Sequence, residues 1–362
     1  MDSRLKLTIP RENIEAGAWE QIEAALALPY LKALAIMPDV HSGYDLPIGG
    51  VALLDGYIWP GAVGYDIGCG MCHVNTEHRL DQLSVALDHV YTRILRMVPV
   101  GFSVDEKPRN NFDRFSNASG YACLNDAIMH KAGLQVGTLG GGNHFIEVGV
   151  NNLGEIGVTI HSGSRRPGWL IADFYMRQTK GPVRLESDLG QQYLVDMTWA
   201  QNFAILNRSR MMFSCLQALG FDEADAAALM GRMVNENHNH AIVTPDGVLH
   251  RKGATPADKG QLGIIPANMR DGVWITEGLG NEEFLSSASH GAGRTMSRTK
   301  AKKLITTELL FEQMRGIIAP PLSELLDEGP DAYKEIHGVL AAQDGRLVNV
   351  IDHFEPMLVV KG

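Results

Sequence analysis

The stretch Gly137-Thr138-Leu139-Gly140-Gly141-Gly142-Asn143-His144-Phe145-Ile146-Glu147 places a histidine after a triple-glycine turn, directly before an apolar segment that starts a strand. Similar short runs, in which histidine or cysteine stands beside glycine or small polar residues, recur at 38–43, 66–71, 161–165, 237–240 and 289–294. Glycine accepts positive φ and lets the backbone approach a ligand closely. The sequence therefore predicts one composite site in which distant segments bind a metal or a phosphate.

Length and composition are typical of a globular protein. The chain has 362 residues, 45% of them hydrophobic, which is enough for one large core or two fused ones. No apolar run approaches the roughly 20 residues that cross a bilayer, and residues 1–5 do not resemble a signal peptide. We therefore expect a cytoplasmic protein without a membrane segment. The four cysteines are interpreted as thiols, because they are too scattered for a disulfide framework: Cys69, Cys72, Cys123 and Cys215.

The net charge of −10 argues against a general nucleic-acid coat protein, because non-specific binding depends on neutralising phosphates with lysine and arginine. Local basic patches remain at Arg165-Arg166, at Arg208 and Arg210, and within 294–303. Taken alone, the charges within 294–303 are most simply the solvated face of a helix.

Strand-like and helical segments follow one another without a regular βαβ rhythm. Apolar segments predict strands at 35–37, 50–54, 158–160 and 357–360, and longer patterns predict helices at 84–97, 191–219, 223–236 and 297–315. The polar segment Asp105–Gly120 predicts an exposed loop. Because no repeat or linker divides the chain, we expect one α+β domain over residues 1–362.

A carboxylate, a thiol and three imidazoles within the glycine-rich and polar runs form a candidate ligand set: Asp66, Cys69, His144, His161 and His238. Each residue alone has a simpler explanation, as a turn cap, a packed cysteine or a strand-end histidine. Together they offer the mixed oxygen, sulfur and nitrogen ligands that suit Zn²⁺ or Mn²⁺. A thiolate can also bridge two ions, and two ions can clamp the oxygens of a phosphoryl transfer.

The run Ser289-His290-Gly291-Ala292-Gly293-Arg294 joins an imidazole to small residues ahead of a predicted basic helix. Backbone amides freed by glycine, together with a helix N-terminus, make a phosphate cradle. A neutral imidazole there is a competent nucleophile toward an activated phosphorus. A helix entry capped by Ser289, with an incidental histidine, explains the same run without chemistry.

In their order along the chain, the motifs resemble those of the RtcB RNA ligase family. The resemblance extends from about Met37 to the terminal Lys361-Gly362. It rests on Met37–His41, Val63–Met71, Gly137–Glu147, His161–Arg165, His250–Thr255, Gly263–Pro266, Gly278–Glu282 and His290–Lys303. It implies an RtcB-like fold of mixed sheets surrounded by helices, with an active-site cleft lined by glycine-rich loops.

The resemblance also implies a reaction. The family joins an RNA 2′,3′-cyclic phosphate or 3′-phosphate end to a 5′-hydroxyl end, using GTP and two Mn²⁺ ions. The reaction passes through a histidine–GMP intermediate and an RNA end activated as RNA-ppG. By the resemblance, its setting is tRNA splicing or RNA repair.

Carried over onto this sequence, the resemblance makes the five candidate ligands the holders of two manganese ions, with Cys69 as the bridge. His290 becomes the guanylylated nucleophile, and Asp39 becomes the carboxylate that orients its imidazole. The expected GMP contacts are Asn143, Glu147, Asn239, Asn268, Gly291, Ala292, Gly293, Arg294 and Lys361.

The sequence departs from the family pattern at two places. Pro266-Ala267-Asn268-Met269-Arg270 replaces the usual Pro-Gly-Ser-Met-Gly, so Asn268 stands where a serine is expected to contact the nucleotide. Arg166-Pro167 stands where glycine is more usual. These changes concern the choice of RNA. A repair enzyme for cleaved ribosomal or transfer RNA fits them as well as a splicing ligase does.

Two other functions stay open on the sequence alone. One is a metal-dependent phosphodiesterase acting on RNA ends, in which His290 is a bystander or a general acid. The other is a non-catalytic RNA-binding subunit. Whichever of these functions the protein has, the ligase included, we expect a localised basic stripe to hold the RNA, with these candidates: Arg165, Arg166, Arg208, Arg270 and Arg298.

Overall fold

The computed structural model describes residues 2–101 and 126–362, so Cys123 and the loop predicted at Asp105–Gly120 lie outside the described residues. The strands are β1 (Leu5–Leu7), β2 (Leu31–His41), β3 (Ile48–Leu54), β4 (Tyr57–Ile58), β5 (Gly70–Arg79), β6 (Phe145–Val150), β7 (Glu155–Ser162), β8 (Val183–Arg184), β9 (Val234–Asn237), β10 (Asn239–Thr244), β11 (Gly247–Lys252), β12 (Ala254–Pro256), β13 (Leu262–Pro266), β14 (Val273–Gly278), β15 (Ser287–Ser289) and β16 (Val348–Lys361). The α-helices are α1 (Ala16–Leu26), α2 (Pro60–Val63), α3 (Leu87–Met97), α4 (Asp126–Gln135), α5 (Arg165–Gln178), α6 (Asp188–Leu219), α7 (Glu223–Met230), α8 (Arg298–Leu304), α9 (Thr307–Gln313) and α10 (Ile336–Ala341).

Two sheets organise the described residues. The larger has seven strands in the order β13-β14-β16-β6-β7-β5-β9, and its neighbours are antiparallel throughout. The smaller has five strands in the order β1-β2-β3-β11-β10, with β1 parallel to β2 and the other neighbours antiparallel. Two further sheets have two strands each, β12-β15 and β4-β8. The predicted α+β class is confirmed.

The longest helix, α6, packs against the seven-stranded sheet. Its buried Met212 shares a core cluster with Val158 and Ile160 of β7. Ser187 caps the first turn of the helix, and Gly220, in the left-handed conformation, ends it. This packing fixes β7, which carries one candidate ligand, against the body of the protein. Among the described residues no helix is long and apolar enough to cross a membrane.

Most predicted elements are present, and two helices differ. The predicted strands lie within β2, β3, β7 and β16, and the first two predicted helices correspond to α3 and α6. The helix predicted at 223–236 is wrong in its second half, because α7 ends at Met230 and β9 pairs with the edge of β5. The helix predicted at 297–315 is divided into α8 and α9, since Thr306 caps a second helix.

Candidate active site

Strand register brings the candidate ligands together at one edge of the seven-stranded sheet. Gly70, the first residue of β5, pairs with Ser162 of β7 on one side and with Asn237 of β9 on the other. Each of these three residues has a candidate ligand as its neighbour in the chain. The ligands concerned are Cys69, His161 and His238.

The other two ligands join from adjacent turns. His144 directly precedes β6, whose Phe145 pairs with His161. Asp66 lies in the turn before β5, and a Cβ at Gly163 would overlap its carboxylate. A Cβ at Gly70 would likewise overlap a backbone carbonyl of β9. Glycine is required at position 70 because β9 backbone lies too close for any side chain, and a side chain at position 163 would displace the Asp66 carboxylate.

The donor atoms of the five ligands form two triads that share one sulfur. Cys69, His161 and His238 make one triad, and Asp66, Cys69 and His144 make the other. The Cys69 Sγ atom lies 3.1 Å from Nε2 of His161 and 3.6 Å from Nε2 of His144. The His161 and His238 Nε2 atoms are 3.3 Å apart, and His144 Nε2 is 3.0 Å from Asp66 Oδ2. Such an arrangement can hold two cations with the sulfur between them.

Backbone carbonyls orient two of the imidazoles. The Nδ1–H of His144 donates to the carbonyl of Leu139, and that of His161 donates to the carbonyl of Asn143, each over 3.0 Å. These bonds leave Nε2 of both rings facing the cluster. Metal-binding histidines are oriented in this way by the partner of their other nitrogen.

The protonation states of the cluster fit a metal site. Burial lowers the pKa of His161 and of His238 well below the usual range, so both imidazoles are neutral at pH 7. Burial, followed by the Asp66 carboxylate, raises the pKa of the Cys69 thiol well above its ordinary value. Burial opposes ionisation of Asp66, but the hydrogen bond and charge of His144 bring its pKa below the ordinary value. A bound cation would favour the thiolate and satisfy the converging lone pairs, so the donor set fits a metal.

Arg208 lies behind the cluster and is fully buried in α6. Its guanidinium donates to the carbonyls of Gly68 and Ser162, and to the side chains of Asn235 and Asn237. It therefore ties the turn before β5 to β7 and β9, the three segments that carry most of the ligands. The prediction that Arg208 holds RNA is wrong, because the side chain has no exposed surface.

His290 lies beside the cluster, next to a buried carboxylate. The His290 Nδ1–H donates to Asp39 Oδ2 over 2.7 Å, and the His290 backbone N–H donates to the same oxygen over 3.2 Å. Asp39 is fully buried in β2. The ring centroids of His290 and His238 are 4.8 Å apart. The structure thus brings His290, Asp39 and the candidate metal ligands into one site.

The basic helix predicted after the His290 run is present, but Ser289 does not cap it. Ser289 ends β15, and α8 begins only at Arg298, where Ser297 caps it. The loop from 290 to 294 approaches β2 instead, and a Cβ at Gly293, whose φ is +76°, would overlap the Asp39 carbonyl. The backbone amides next to His290 therefore belong to this loop and not to the first turn of α8.

A cavity of about 310 Å³ opens between the His290 loop and the large sheet. Eight of the nine expected nucleotide contacts line it: Asn143, Glu147, Asn268, Gly291, Ala292, Gly293, Arg294 and Lys361. The ninth, Asn239, does not line the cavity. Its amide nitrogen donates to the Asp66 carbonyl and its amide oxygen accepts from the Gly253 N–H, so it supports the turn that carries the candidate ligand Asp66.

A buried carboxylate organises the cations of the cavity. Glu328 accepts from Lys361 over 2.5 Å and from Arg294 over 3.2 Å, and it also pairs with Arg298. Burial opposes the charge of Glu328, but Lys361 and Arg298 lower its pKa to about 2. Tyr333 donates its hydroxyl to the same carboxylate.

Three residues that line the cavity were not predicted from the sequence to have a role there: Glu328, Tyr333 and His41. His41 ends the family motif Met37–His41, so its presence in that motif could have indicated a place in the site. Glu328 ends one short 3₁₀ turn and Tyr333 directly follows another, and neither belongs to a recognisable motif, so their place in the cavity follows only from the fold.

The remaining arginines differ in exposure. Arg165 donates to Thr138 and to the Gly101 carbonyl, and Arg270 pairs with the neighbouring Asp271. Arg166 is exposed, and its guanidinium carbon lies 4.0 Å from the centroid of the Trp169 ring. Of the five arginines expected to hold RNA, Arg166 therefore has a guanidinium that is exposed and stacked on an aromatic ring.

A family model and several known proteins that resemble this chain all belong to one family. A sequence model described as tRNA-splicing ligase RtcB matches residues 21–121 and 117–362. The RNA-splicing ligase RtcB of Escherichia coli (strain K12) is 35% identical, over 96% of this chain and 95% of the relative. The tRNA-splicing ligases RtcB of Methanococcus maripaludis and Thermococcus kodakarensis are each 29% identical, over 97% and 95% of this chain and 92% and 90% of those proteins.

Proposed function

The chain belongs to the RtcB family, and we propose that it is an RNA ligase that joins an RNA 2′,3′-cyclic phosphate or 3′-phosphate end to a 5′-hydroxyl end. The reaction uses GTP and two Mn²⁺ ions. Cleaved transfer or ribosomal RNA with these ends is the proposed substrate.

The contact between His290 and Asp39 carries this proposal. A histidine whose Nδ1–H is held by a fully buried carboxylate keeps its lone pair on Nε2. His290 lines the cavity that eight of the expected nucleotide contacts also line. A nucleophile, its orienting carboxylate and a nucleotide-sized space therefore occur together.

In the first step, Nε2 of His290 attacks the α-phosphorus of GTP. A nitrogen–phosphorus bond forms, the bond from the α-phosphorus to the bridging oxygen breaks, and pyrophosphate leaves. The imidazole becomes cationic during the attack, and the Asp39 carboxylate stabilises that charge through Nδ1–H. The product is GMP bound covalently to His290.

In the second step the RNA 3′-phosphate attacks the bound GMP, and neutral His290 is released. This step gives an RNA end activated as RNA-ppG. The 5′-hydroxyl of the other RNA end then attacks the phosphorus next to the RNA 3′ oxygen, the bond from that phosphorus to the oxygen of the GMP phosphate breaks, and GMP leaves while the hydroxyl proton passes to solvent. A cyclic phosphate is opened to a 3′-phosphate before guanylyl transfer.

The two triads would hold the two manganese ions, and Cys69, which belongs to both triads, would be the ligand that they share. When bound there, the ions supply charge neutralisation for the transferring phosphoryl group. His161 belongs to a triad and also lines the cavity, which supports a shared site for ions and nucleotide. The eight expected nucleotide contacts that line the cavity are proposed to contact GMP. Asn239 is proposed to position the Asp66 turn.

Labelling with GTP that carries a radioactive α-phosphate tests the proposal. We expect an acid-labile, alkali-stable GMP adduct on the wild-type protein and on His89→Ala, which alters an exposed histidine of α3. His290→Ala should give no adduct and should not join RNA. Opening of a cyclic phosphate without adduct or joining would favour the alternative, a metal-dependent phosphodiesterase.

A further inference from the structure

An aromatic strip lies on the protein surface beside the metal-ligand cluster. We define it as Tyr44, Tyr65, Trp169 and Arg166. The Tyr44 and Tyr65 rings meet edge to face with centroids 5.3 Å apart, and Tyr65 stacks on Trp169 with centroids 5.7 Å apart and 20° between the planes. The Arg166 guanidinium covers the Trp169 ring at 4.0 Å. Four side chains from three segments thus form one continuous surface.

The strip is open to solvent. Tyr44 is 60% exposed, Arg166 is exposed, and Tyr65 and Trp169 are half-buried. The stacked pair Trp199 and Phe203 in α6 is buried instead, as expected of aromatic rings that serve the core. Exposed aromatic surface of this kind usually marks a place where a ligand binds.

The strip begins where the cluster opens to solvent. Tyr65 immediately precedes Asp66, whose side chain is 36% exposed, whereas the other four ligands are buried. Asp66 does not line the nucleotide cavity, but His161 does. The cluster therefore adjoins the cavity through His161, and its most exposed member is the chain neighbour of Tyr65 in the strip.

The rings are carried by fixed elements. Trp169 and Arg166 lie in the first turns of α5. The buried ammonium of Lys252 donates to the carbonyl of Tyr44 over 2.5 Å and to the carbonyl of Gly61 over 2.7 Å. These bonds connect the Tyr44 loop to the helix that leads into Tyr65. A surface held this firmly loses little conformational entropy when a ligand binds.

We propose that the aromatic strip is a base-stacking surface for the unpaired RNA nucleotides that lead to the end being joined. The inference rests on the proposed function, from which it takes the substrate class. Nucleobases stack on aromatic side chains with little sequence preference, and arginine adds a contact to the base or to a phosphate. Stacking also suits a protein with a net charge of −10, because its contribution does not depend on neutralising phosphates.

The test measures binding of a labelled single-stranded RNA with a 3′-phosphate by fluorescence anisotropy, without GTP so that no joining occurs. Trp169→Leu removes the aromatic face, and Trp169→Phe keeps one. Phe174→Ala is the matched control, because it removes a partly exposed aromatic ring from the same helix. We expect Trp169→Leu to weaken binding by about five- to a hundredfold and Trp169→Phe by much less. Phe174→Ala should bind RNA like the wild type.

A second RNA, abasic in the nucleotides next to its 3′ end, separates stacking from a structural effect. Stacking predicts that wild type and Trp169→Leu bind the abasic RNA equally. Equal binding of the base-containing RNA by wild type and Trp169→Leu would overturn the inference. So would a loss that is the same for both RNAs or the same in Trp169→Leu and Trp169→Phe.

Failure of the proposed function gives a different result. In that case the wild-type protein forms no GMP adduct and joins no RNA, whatever the binding data show. A base-dependent loss in Trp169→Leu would then still support the strip as an RNA-binding surface. If the wild type forms the adduct and joins RNA, and Trp169→Leu binds RNA as the wild type does, only the inference about the aromatic strip is refuted.

Discussion

Glu328→Gln tests whether burial makes the ion pairs of the cavity important for stability. The Glu328 and Lys361 side chains are 4% and 3% exposed, and their charged atoms are 2.5 Å apart. The replacement keeps the shape of the side chain but removes the negative charge that faces three cations: Lys361, Arg294 and Arg298. Neighbouring cations lower the pKa of Glu328 from 4.5 to about 2, which corresponds to about 3 kcal/mol of stabilisation at pH 7. Loss of one partner of a buried pair costs about the same amount.

The control is Glu312→Gln. Glu312 and Arg315 are also 2.5 Å apart, but their side chains are 61% and 71% exposed. Urea unfolding at pH 7 should show a loss of about 3 kcal/mol for Glu328→Gln and of less than about 1 kcal/mol for the control. Equal losses in the two variants would refute the argument from burial.

The pH dependence gives a second check on the same variant. The folded-state pKa of Glu328 is lowered, so its stabilisation is present above the unfolded-state pKa and is lost as the pH falls through the folded-state pKa. The difference between wild type and Glu328→Gln should therefore shrink from about 3 kcal/mol at pH 7 to about 1 kcal/mol at pH 3. A difference that stays constant over this range would show that the ion pairs do not stabilise the fold through the charge of Glu328.

The remaining predictions concern metal, nucleotide and RNA. Cys69→Ser should lower both bound manganese, measured by elemental analysis, and RNA joining, because a hydroxyl is a poor substitute for a bridging thiolate; the variant Cys72→Ala, which alters a core residue of β5, should keep its manganese. Asp39→Asn should slow formation of the His290–GMP adduct by about 10- to 100-fold without changing metal content, and an unchanged rate in stopped-time labelling would remove Asp39 from the mechanism. Arg166→Glu should weaken RNA binding and reduce the slope of log affinity against log salt by at least about 0.7, while an unchanged slope would mean that Arg166 contacts no phosphate.

Local sequence pattern was sufficient where local interactions decide the structure. The strands containing 158–160 and 357–360 and the long helix α6 were predicted because apolar periodicity and end signals lie within each segment. The same reasoning failed at β9, whose backbone finds its hydrogen-bond partners on β5, far away in the chain. It also missed the break between α8 and α9, where a threonine cap competes with continuation of the helix.

The sequence by itself determined which residue types could form the site, because each ligand run and the His290 run are continuous in the chain and carry the resemblance to the family. Only the tertiary structure decided how they meet. Strand register makes Cys69 common to both triads, and packing buries Arg208 behind them. It also brings Glu328 to the cations of the cavity. The reason is physical: distances between strands and the removal of water from a charge depend on contacts between residues far apart in sequence, which no single segment contains.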